Sequence, residues 1–292
     1  MYLKISRDMN RYLYIFLFAL LTACSGPDSK QDIPTLTVTL EPLRYFTEAI
    51  AGDKFQVVSM VPKGSNPETY DPTPQQLVRL NQSQAYFRIG YIGFEQAWME
   101  RLEANAPQLK IVDTSRKVHL IKGKGHYHGD HYHEGGVEPH IWNSAQNAMV
   151  ITRNIYTALC ELDANNQAYY KQRLDSIQQV IKQTDQTIKE TLQHADSTFL
   201  IYHPALSYFA RDYGLTQISI EEDGKEPSPA QLSKLIEQCR EKQAKTIFVQ
   251  QEFDTRNAQL IADELGIPVT PINPLNYNWT EEMLHIASSL KK

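Results

Sequence analysis

The sequence predicts an α/β protein of two lobes, each a four-stranded, mostly parallel sheet with flanking helices, joined by one long rigid helix. Three observations lead to this prediction. Two series of four short apolar strands alternate with helical patterns, which is typical of parallel α/β units. One helix start in each series has the same Ser/Thr-Pro-x-Gln pattern. Between the series, about thirty residues contain no Gly or Pro and repeat apolar residues at helical spacing.

The composition excludes several classes of protein. Of the 292 residues, 41% are hydrophobic and 22% are charged, which is unlike a disordered chain or a polytopic membrane protein. The net charge of −5 argues against nucleic acid as a partner. Three cysteines are too few for a disulfide framework and too scattered for a cysteine-based zinc ribbon. We expect Cys160 and Cys239 to be free thiols.

The first residues have the pattern of an export signal. A basic start is followed by the apolar run Tyr12 to Leu21, which is half the length of a spanning helix but right for a secretory signal. Small residues before Cys24 resemble the lipobox of bacterial lipoproteins. We therefore expect residues 1–23 to be removed as a lipoprotein signal peptide, Cys24 to carry a lipid anchor and residues 24–34 to form a tether. This places the protein outside the cytoplasm on a membrane, in the periplasm or at the cell surface. A plain signal peptide followed by a chance cysteine is the alternative.

The remaining chain divides into two lobes and a connector. We predict an N-terminal α/β lobe at 35–164, a connecting helix at 165–196 and a C-terminal α/β lobe at 197–292. The apolar stripe of the connector repeats at alternating steps of four and three residues. The predicted strands are 35–40, 55–61, 85–90 and 110–114 in the first lobe and 198–203, 216–220, 244–250 and 267–273 in the second.

A histidine-rich segment, residues 125–136, lies in the first lobe. It has flanking glycines and no apolar periodicity, so we expect a mobile loop that cannot contribute to a core. Imidazole is a good ligand for zinc, copper and nickel, and the composition indicates metal interaction. A solvated insertion without function is the alternative. Its four histidines are His126, His128, His131 and His133.

Three further residues form the candidate metal site. Glu68 lies in the loop after the second strand, His203 ends the fifth strand, and His140 follows the histidine-rich loop. We expect all three to follow the carboxyl ends of strands, where open α/β sheets place their ligands. Two facing lobes would bring Glu68 and His140 against His203. Two neutral imidazoles and one carboxylate are a ligand set suited to zinc.

The motifs around these residues resemble one family, the zinc/manganese solute-binding lipoproteins of bacterial ABC importers. The resemblance covers about residues 35–290 and is strongest in three segments, 61–74, 138–142 and 202–205. It implies that the chain captures Zn²⁺ between its lobes and delivers it to an ABC transporter permease in the membrane. Zn²⁺ would then be a transported ligand. The resemblance also implies a protein that is no enzyme, and we expect it to be a monomer.

Two departures from the family pattern concern the metal. The family usually has His at the position of Glu68. The carboxylate of Glu68 would favour manganese, because Mn²⁺ prefers oxygen donors. Its manganese members use carboxylates where this chain has His203 and Asn273, which favours zinc. We therefore predict zinc, with Mn²⁺ as the alternative. A fourth ligand could be Asn273, Glu252 or water.

Two other functions remain open at this stage. Two His, one carboxylate and an open position also describe catalytic zinc, but the chain has no His-Glu-x-x-His helix. This argues against a zinc hydrolase. A metal-binding surface adhesin active in cell adhesion is compatible with the lipid anchor.

Overall fold

The structure is a computed structural model that describes residues 33–123, 126–128, 131–133, 136–221 and 225–291. At 126–128 and 131–133 it describes the backbone alone. The predicted signal peptide, Cys24 and the tether up to residue 32 lie outside the described residues. The proposed lobe boundaries remain predictions, since Pro34–Lys292 form a single compact unit.

Each lobe contains one four-stranded parallel sheet, and the two sheets have the same strand order. The first sheet has the order β2-β1-β3-β4 and the second β8-β7-β9-β10, so both follow the pattern second, first, third, fourth. All pairings within these sheets are parallel. This confirms the predicted fold class. The strands are β1 Thr35–Val38, β2 Gln56–Ser59, β3 Ala85–Arg88 and β4 Lys110–Asp113, then β7 Thr198–Ile201, β8 Thr216–Ser219, β9 Ile247–Gln250 and β10 Val269–Ile272.

Helices flank both sheets. In the first lobe they are α1 Glu41–Ala51, α2 Pro74–Asn81, α3 Gly93–Asn105 and α4 Ala145–Leu162, with a 3-10 turn at Gly52–Lys54. In the second they are α6 Ser207–Tyr213, α7 Pro229–Lys242, α8 Arg256–Leu265 and α9 Trp279–Ser289.

The two similar helix starts have the same structure. Thr73 and Ser228 each accept a hydrogen bond from the backbone N–H three residues later, and Gln76 and Gln231 complete a reciprocal capping box. Proline occupies the first turn of both helices, where its missing N–H costs no hydrogen bond. The sequence repeat therefore corresponds to a structural repeat.

The connector is a helix of 26 residues, α5 Gln167–Leu192, preceded by a 3-10 turn at Ala164–Asn166. It packs against α1 and α4 of the first lobe and α9 of the second. Its buried residues form the predicted stripe, which confirms that the helical periodicity marks a packed face. These residues are Tyr170, Leu174, Ile177, Ile181, Thr184 and Ile188.

The apolar core extends from one lobe into the other. One cluster joins the first sheet, α5 and the inner part of the second lobe, including Phe199, Phe248 and Trp279. A smaller cluster between the second sheet, α7 and α8 belongs to the second lobe alone, and it contains Cys239. Cys160 and Cys239 are both free, as expected.

The histidine-rich segment, which we expected to be a mobile loop, contains paired backbone strands. Its backbone forms a two-stranded antiparallel hairpin of β5 His126–His128 and β6 His131–His133. The sequence does contain a hairpin signal, because two His-Tyr-His triplets are separated by the two-residue linker Gly129-Asp130. The side chains of this hairpin lie outside the described residues, so its metal binding remains a prediction.

Among the helices of the described ranges, none is both long and apolar enough to cross a membrane.

Candidate metal centre

Glu68, His140 and His203 meet in one cluster. Each offers one potential ligand atom, and these atoms all lie within 4.8 Å of one another. The His140 and His203 Nε2 atoms are 3.2 Å apart, and Glu68 Oε1 is 3.9 Å from His140 Nε2. His140 is buried, and the other two are partly buried. In the described part of the chain this is the one group of three or more His, Cys, Asp or Glu with such convergence.

The start of α3 holds the Glu68 carboxylate. Oε2 accepts a 2.9 Å hydrogen bond from the Gly93 N–H, while the Glu68 N–H donates to Asn66 Oδ1. A Cβ at Gly93 would lie 2.5 Å from the Glu68 carbonyl oxygen and 2.6 Å from Oε2, so the carboxylate needs glycine there. Oε1 is buried and has no hydrogen-bond partner. An orphaned carboxylate oxygen that faces two imidazoles is a feature that a bound cation would explain.

His140 is oriented by a carboxylate two residues before it. Glu138 Oε1 contacts His140 Nδ1 and also accepts a 3.1 Å hydrogen bond from the His140 backbone N–H. Burial raises the pKa of Glu138, but hydrogen bonds and charge interaction with His140 lower it, and the net pKa lies below its ordinary value. An ionised carboxylate can only accept, so this contact favours a proton on Nδ1, and in the neutral imidazole Nε2 then has the free lone pair.

His203 is oriented by residues from neighbouring strand ends. Its Nδ1 lies 2.7 Å from Oε1 of Glu221, which follows β8. Gln250 at the end of β9 binds the His203 backbone on both sides, because its Oε1 accepts from the N–H and its Nε2 donates to the carbonyl. The Phe253 ring stacks on the imidazole at a centroid distance of 4.9 Å and an angle of 13°. His203 therefore also presents Nε2 to the cluster.

The cavity at the cluster is narrow, with about 20 Å³ of free space. That is enough for a single ion or water molecule. Glu252 is part of its wall, as are Trp142 and Phe253. Asn273 is not among the wall residues, and its Oδ1 accepts a hydrogen bond from the Leu275 N–H within its own turn. Of the two candidates for a fourth ligand, the structure thus places Glu252 at the cavity.

The imidazole pair has the spacing of a zinc site. Two ligands at about 2.0–2.1 Å from tetrahedral Zn²⁺ lie about 3.3–3.4 Å apart. The observed separation of the two Nε2 atoms, 3.2 Å, is close to this value. With both protons on Nδ1, neither Nε2 can donate to the other, so two lone pairs face each other. A cation between them would turn this repulsion into two bonds.

The expected placement was wrong in one respect. Glu68 and His203 do follow strands β2 and β7, but His140 follows the isolated bridge Lys122–Val137, and the last strand of the first four-stranded sheet before it, β4, ends at Asp113. Hydrogen bonds with the second lobe place this loop instead. Tyr208 donates its hydroxyl to the Glu138 carbonyl, and Ser207 donates to Glu138 Oε2.

Sequence reasoning missed the roles of Glu138, Glu221 and Phe253. Glu138 lies two residues before the candidate ligand His140, so the sequence did contain a signal for its role. Glu221 is 18 residues from His203, and only the parallel pairing of β7 with β8 brings them together.

The chain is similar to known proteins over most of its length. The family model "Zinc-uptake complex component A periplasmic" (ZnuA) matches residues 36–292. An iron ABC transporter substrate-binding lipoprotein, MtsA of Streptococcus pyogenes, is 26% identical over 280 residues, which cover 91% of this chain and 87% of that protein. The manganese ABC transporter substrate-binding lipoprotein PsaA of Streptococcus pneumoniae is 28% identical over 269 residues, which cover 87% and 84%. A crystal structure of ZnuA superposes with a TM-score of 0.82 at 33% identity and covers 88% of this chain and 97% of that one.

Proposed function

Because this chain belongs to the ZnuA family of periplasmic zinc-uptake components, we propose that it captures Zn²⁺ at Glu68, His140 and His203 and delivers it to an ABC importer. Its relatives are substrate-binding lipoproteins of metal ABC transporters. The observation that carries the proposal is the convergence of the two Nε2 atoms with the orphaned Glu68 oxygen.

Zinc is favoured over manganese by the donor set. Two of the three donors are imidazoles, which suit Zn²⁺, whereas Mn²⁺ is better served by carboxylate, carbonyl and water ligands. The two relatives described above are named as an iron and a manganese transporter lipoprotein, so their names do not indicate zinc. The preference for zinc rests on the ligand residues of this chain. Glu252 or a water molecule would complete the coordination from the cavity wall.

Metal capture would bring the Glu68 carboxylate closer to the imidazoles. The imidazole pair already has the spacing of zinc ligands, whereas Glu68 Oε1 is 3.9 Å from His140 Nε2 and the three ligand atoms lie within 4.8 Å of one another.

Metal content and affinity test this proposal directly. Zinc bound per chain is measured by mass spectrometry, with residues 125–136 deleted so that the histidine-rich hairpin adds no metal. We expect one Zn²⁺ per chain, retained against excess Mn²⁺. Binding free energies of about 10–16 kcal/mol shared by three or four ligands imply that His140→Ala and His203→Ala each weaken binding by on the order of 10²–10⁴-fold.

The matched control is His194→Ala, which removes an exposed imidazole that does not belong to the cluster. It should bind zinc as the parent does. Full zinc occupancy in His140→Ala or His203→Ala would overturn the proposed site, and preferential loading with Mn²⁺ would overturn the choice of metal. Zinc retained in Glu68→Ala would assign the third ligand to another residue.

The same proposal includes a lipid anchor at Cys24 and a membrane permease as partner. The two relatives described above are named as lipoproteins, and Cys24 follows a secretory signal pattern. Cys24→Ala should move the protein from the membrane fraction to the soluble fraction without changing its zinc content. Deletion of the gene should impair growth only when zinc is scarce, and a defect independent of zinc supply would contradict delivery to an importer.

A further inference from the structure

Each imidazole of the cluster contacts a separate carboxylate through its Nδ1 atom. Glu138 serves His140, and Glu221 serves His203 at 2.7 Å. Both carboxylates are shielded from solvent, with side-chain exposures of 16% and 7%. Neither belongs to the group of converging ligand atoms. Their place in the molecule is therefore behind the imidazoles, on the side away from the cavity.

We propose that Glu138 and Glu221 are positioning residues that hold both imidazoles in the Nδ1–H tautomer, so that the two Nε2 lone pairs face the metal. This inference rests on the proposed function, because it concerns the affinity of the same site. A carboxylate behind a ligating imidazole fixes the ring and increases its basicity. Together with Glu68, the two residues place three carboxyl groups around the site, a composition that favours a divalent cation.

Glu138 additionally connects the site to the other lobe. Its Oε2 accepts a 3.2 Å hydrogen bond from the Ser207 hydroxyl, and its carbonyl accepts one of 2.8 Å from Tyr208. Ser207 also accepts a hydrogen bond from Gln217 Nε2, so the hydroxyl is part of a network that starts in β8. Thus the first lobe's imidazole is oriented by a carboxylate that the second lobe holds in place. Separation of the lobes would remove that support and weaken metal binding.

The tautomers can be read from the zinc-free protein by long-range ¹H–¹⁵N NMR spectra of its imidazoles. The signals of His140 and His203 are assigned by their loss in the two alanine variants. We expect the proton on Nδ1 in both residues. In Glu138→Gln and Glu221→Gln the Nε2–H form should appear in the affected histidine alone, because a side-chain amide can also donate to Nδ1.

Zinc affinity, measured by competition with a chromophoric chelator, gives the second readout. Each Glu→Gln change should weaken zinc binding by about 10- to 100-fold. Ser207→Ala should weaken it less, by about two- to tenfold, because it removes one hydrogen bond to the Glu138 carboxylate but leaves the carboxylate itself beside His140. The matched control is Glu226→Gln, an exposed carboxylate a few residues after Glu221, which should bind zinc as the parent does.

Three results would overturn the inference. One is an Nε2 proton on either histidine in the parent protein. The second is parental zinc affinity in both Glu→Gln variants, and the third is a loss of affinity with parental tautomers. Each result can occur while His140→Ala still weakens zinc binding as expected, in which case the metal site stands and only the role of the two carboxylates fails. If His140→Ala keeps its zinc, the proposed function itself fails.

Discussion

The two lobes have the same strand order but orient their imidazoles differently. In the first lobe, His140 and its carboxylate Glu138 are two residues apart in one loop, and the second lobe secures that loop. In the second lobe, His203 follows β7 directly and is held by Glu221 and Gln250 from the ends of the two adjacent strands. Strand pairing within one parallel sheet is thus enough to orient His203. The loop that carries His140 also needs contacts from the other lobe.

The aromatic residues differ in the same way. Phe253 lies parallel to His203, while Trp142 meets His140 at 61° with a centroid distance of 5.3 Å. The Trp142 indole N–H donates to the Pro274 carbonyl, and the Trp279 indole N–H donates to the Trp142 carbonyl. Trp142 therefore ties the His140 loop to the second lobe, and Phe253 supports His203 within its own lobe.

The largest expected effect is on the free energy of unfolding, and it concerns a buried carboxyl group that belongs to the first lobe. Glu95 on α3 accepts hydrogen bonds from Thr39 and from the Ile89 and Gly90 N–H groups. Desolvation by burial raises its pKa from 4.5 to about 7, although these hydrogen bonds oppose the shift. The folded protein therefore retains a proton that the unfolded chain loses, and this carboxyl group's contribution to stability decreases as the pH rises from about 4.5 to 7.

Glu95→Gln should abolish this dependence. The free energy of unfolding of the parent, measured by urea denaturation, should decrease relative to that of the variant by about 3 kcal/mol between pH 4.5 and pH 8. Glu103→Gln, an exposed carboxyl group on the same helix, should follow the parent at each pH. Parallel pH profiles for the parent and Glu95→Gln would contradict the raised pKa.

The next effect tests how the first lobe places Glu68. Gly93→Ala puts a methyl group within 2.6 Å of two Glu68 oxygens, while alanine itself favours the helix that begins there. We expect zinc affinity to fall about tenfold or more, roughly 1.4 kcal/mol, without loss of helix content. Both this variant and its control are compared in the chain that keeps residues 125–136. Gly136→Ala is the control, since its Cβ would meet no atom within 4 Å. Parental affinity in Gly93→Ala would mean that Glu68 is not held as a ligand.

The smallest effect concerns the aromatic support of the second lobe. Phe253→Leu keeps an apolar side chain in the cavity wall but removes the stacking on His203. An aromatic pair contributes about 0.5–1.5 kcal/mol beyond its burial, so zinc affinity should fall about two- to tenfold. Measured by the same chelator competition, an unchanged affinity would show that Glu221 and Gln250 alone orient the ring.

Several features could be predicted from local sequence. The eight strands have short apolar runs, the two capping boxes have their residues at fixed spacing, and the stripe of α5 repeats at helical spacing. Each depends on interactions within a few residues or on one apolar face, which a single sequence records. The ligand candidates Glu68, His140 and His203 could also be named, because imidazoles and a carboxylate in connecting segments point to metal chemistry.

Only the tertiary structure decided how those candidates act together. Strand pairing brought Glu221 to His203 across 18 residues, and contact between the lobes placed His140 without a strand before it. The directions of side chains also depend on packing. The Asn273 amide oxygen binds within its own turn, whereas Glu252 lines the cavity. The sequence by itself determined which groups were present and which helices and strands carried them. Distances, burial and proton positions arise between residues far apart in the chain, so they were decided by packing.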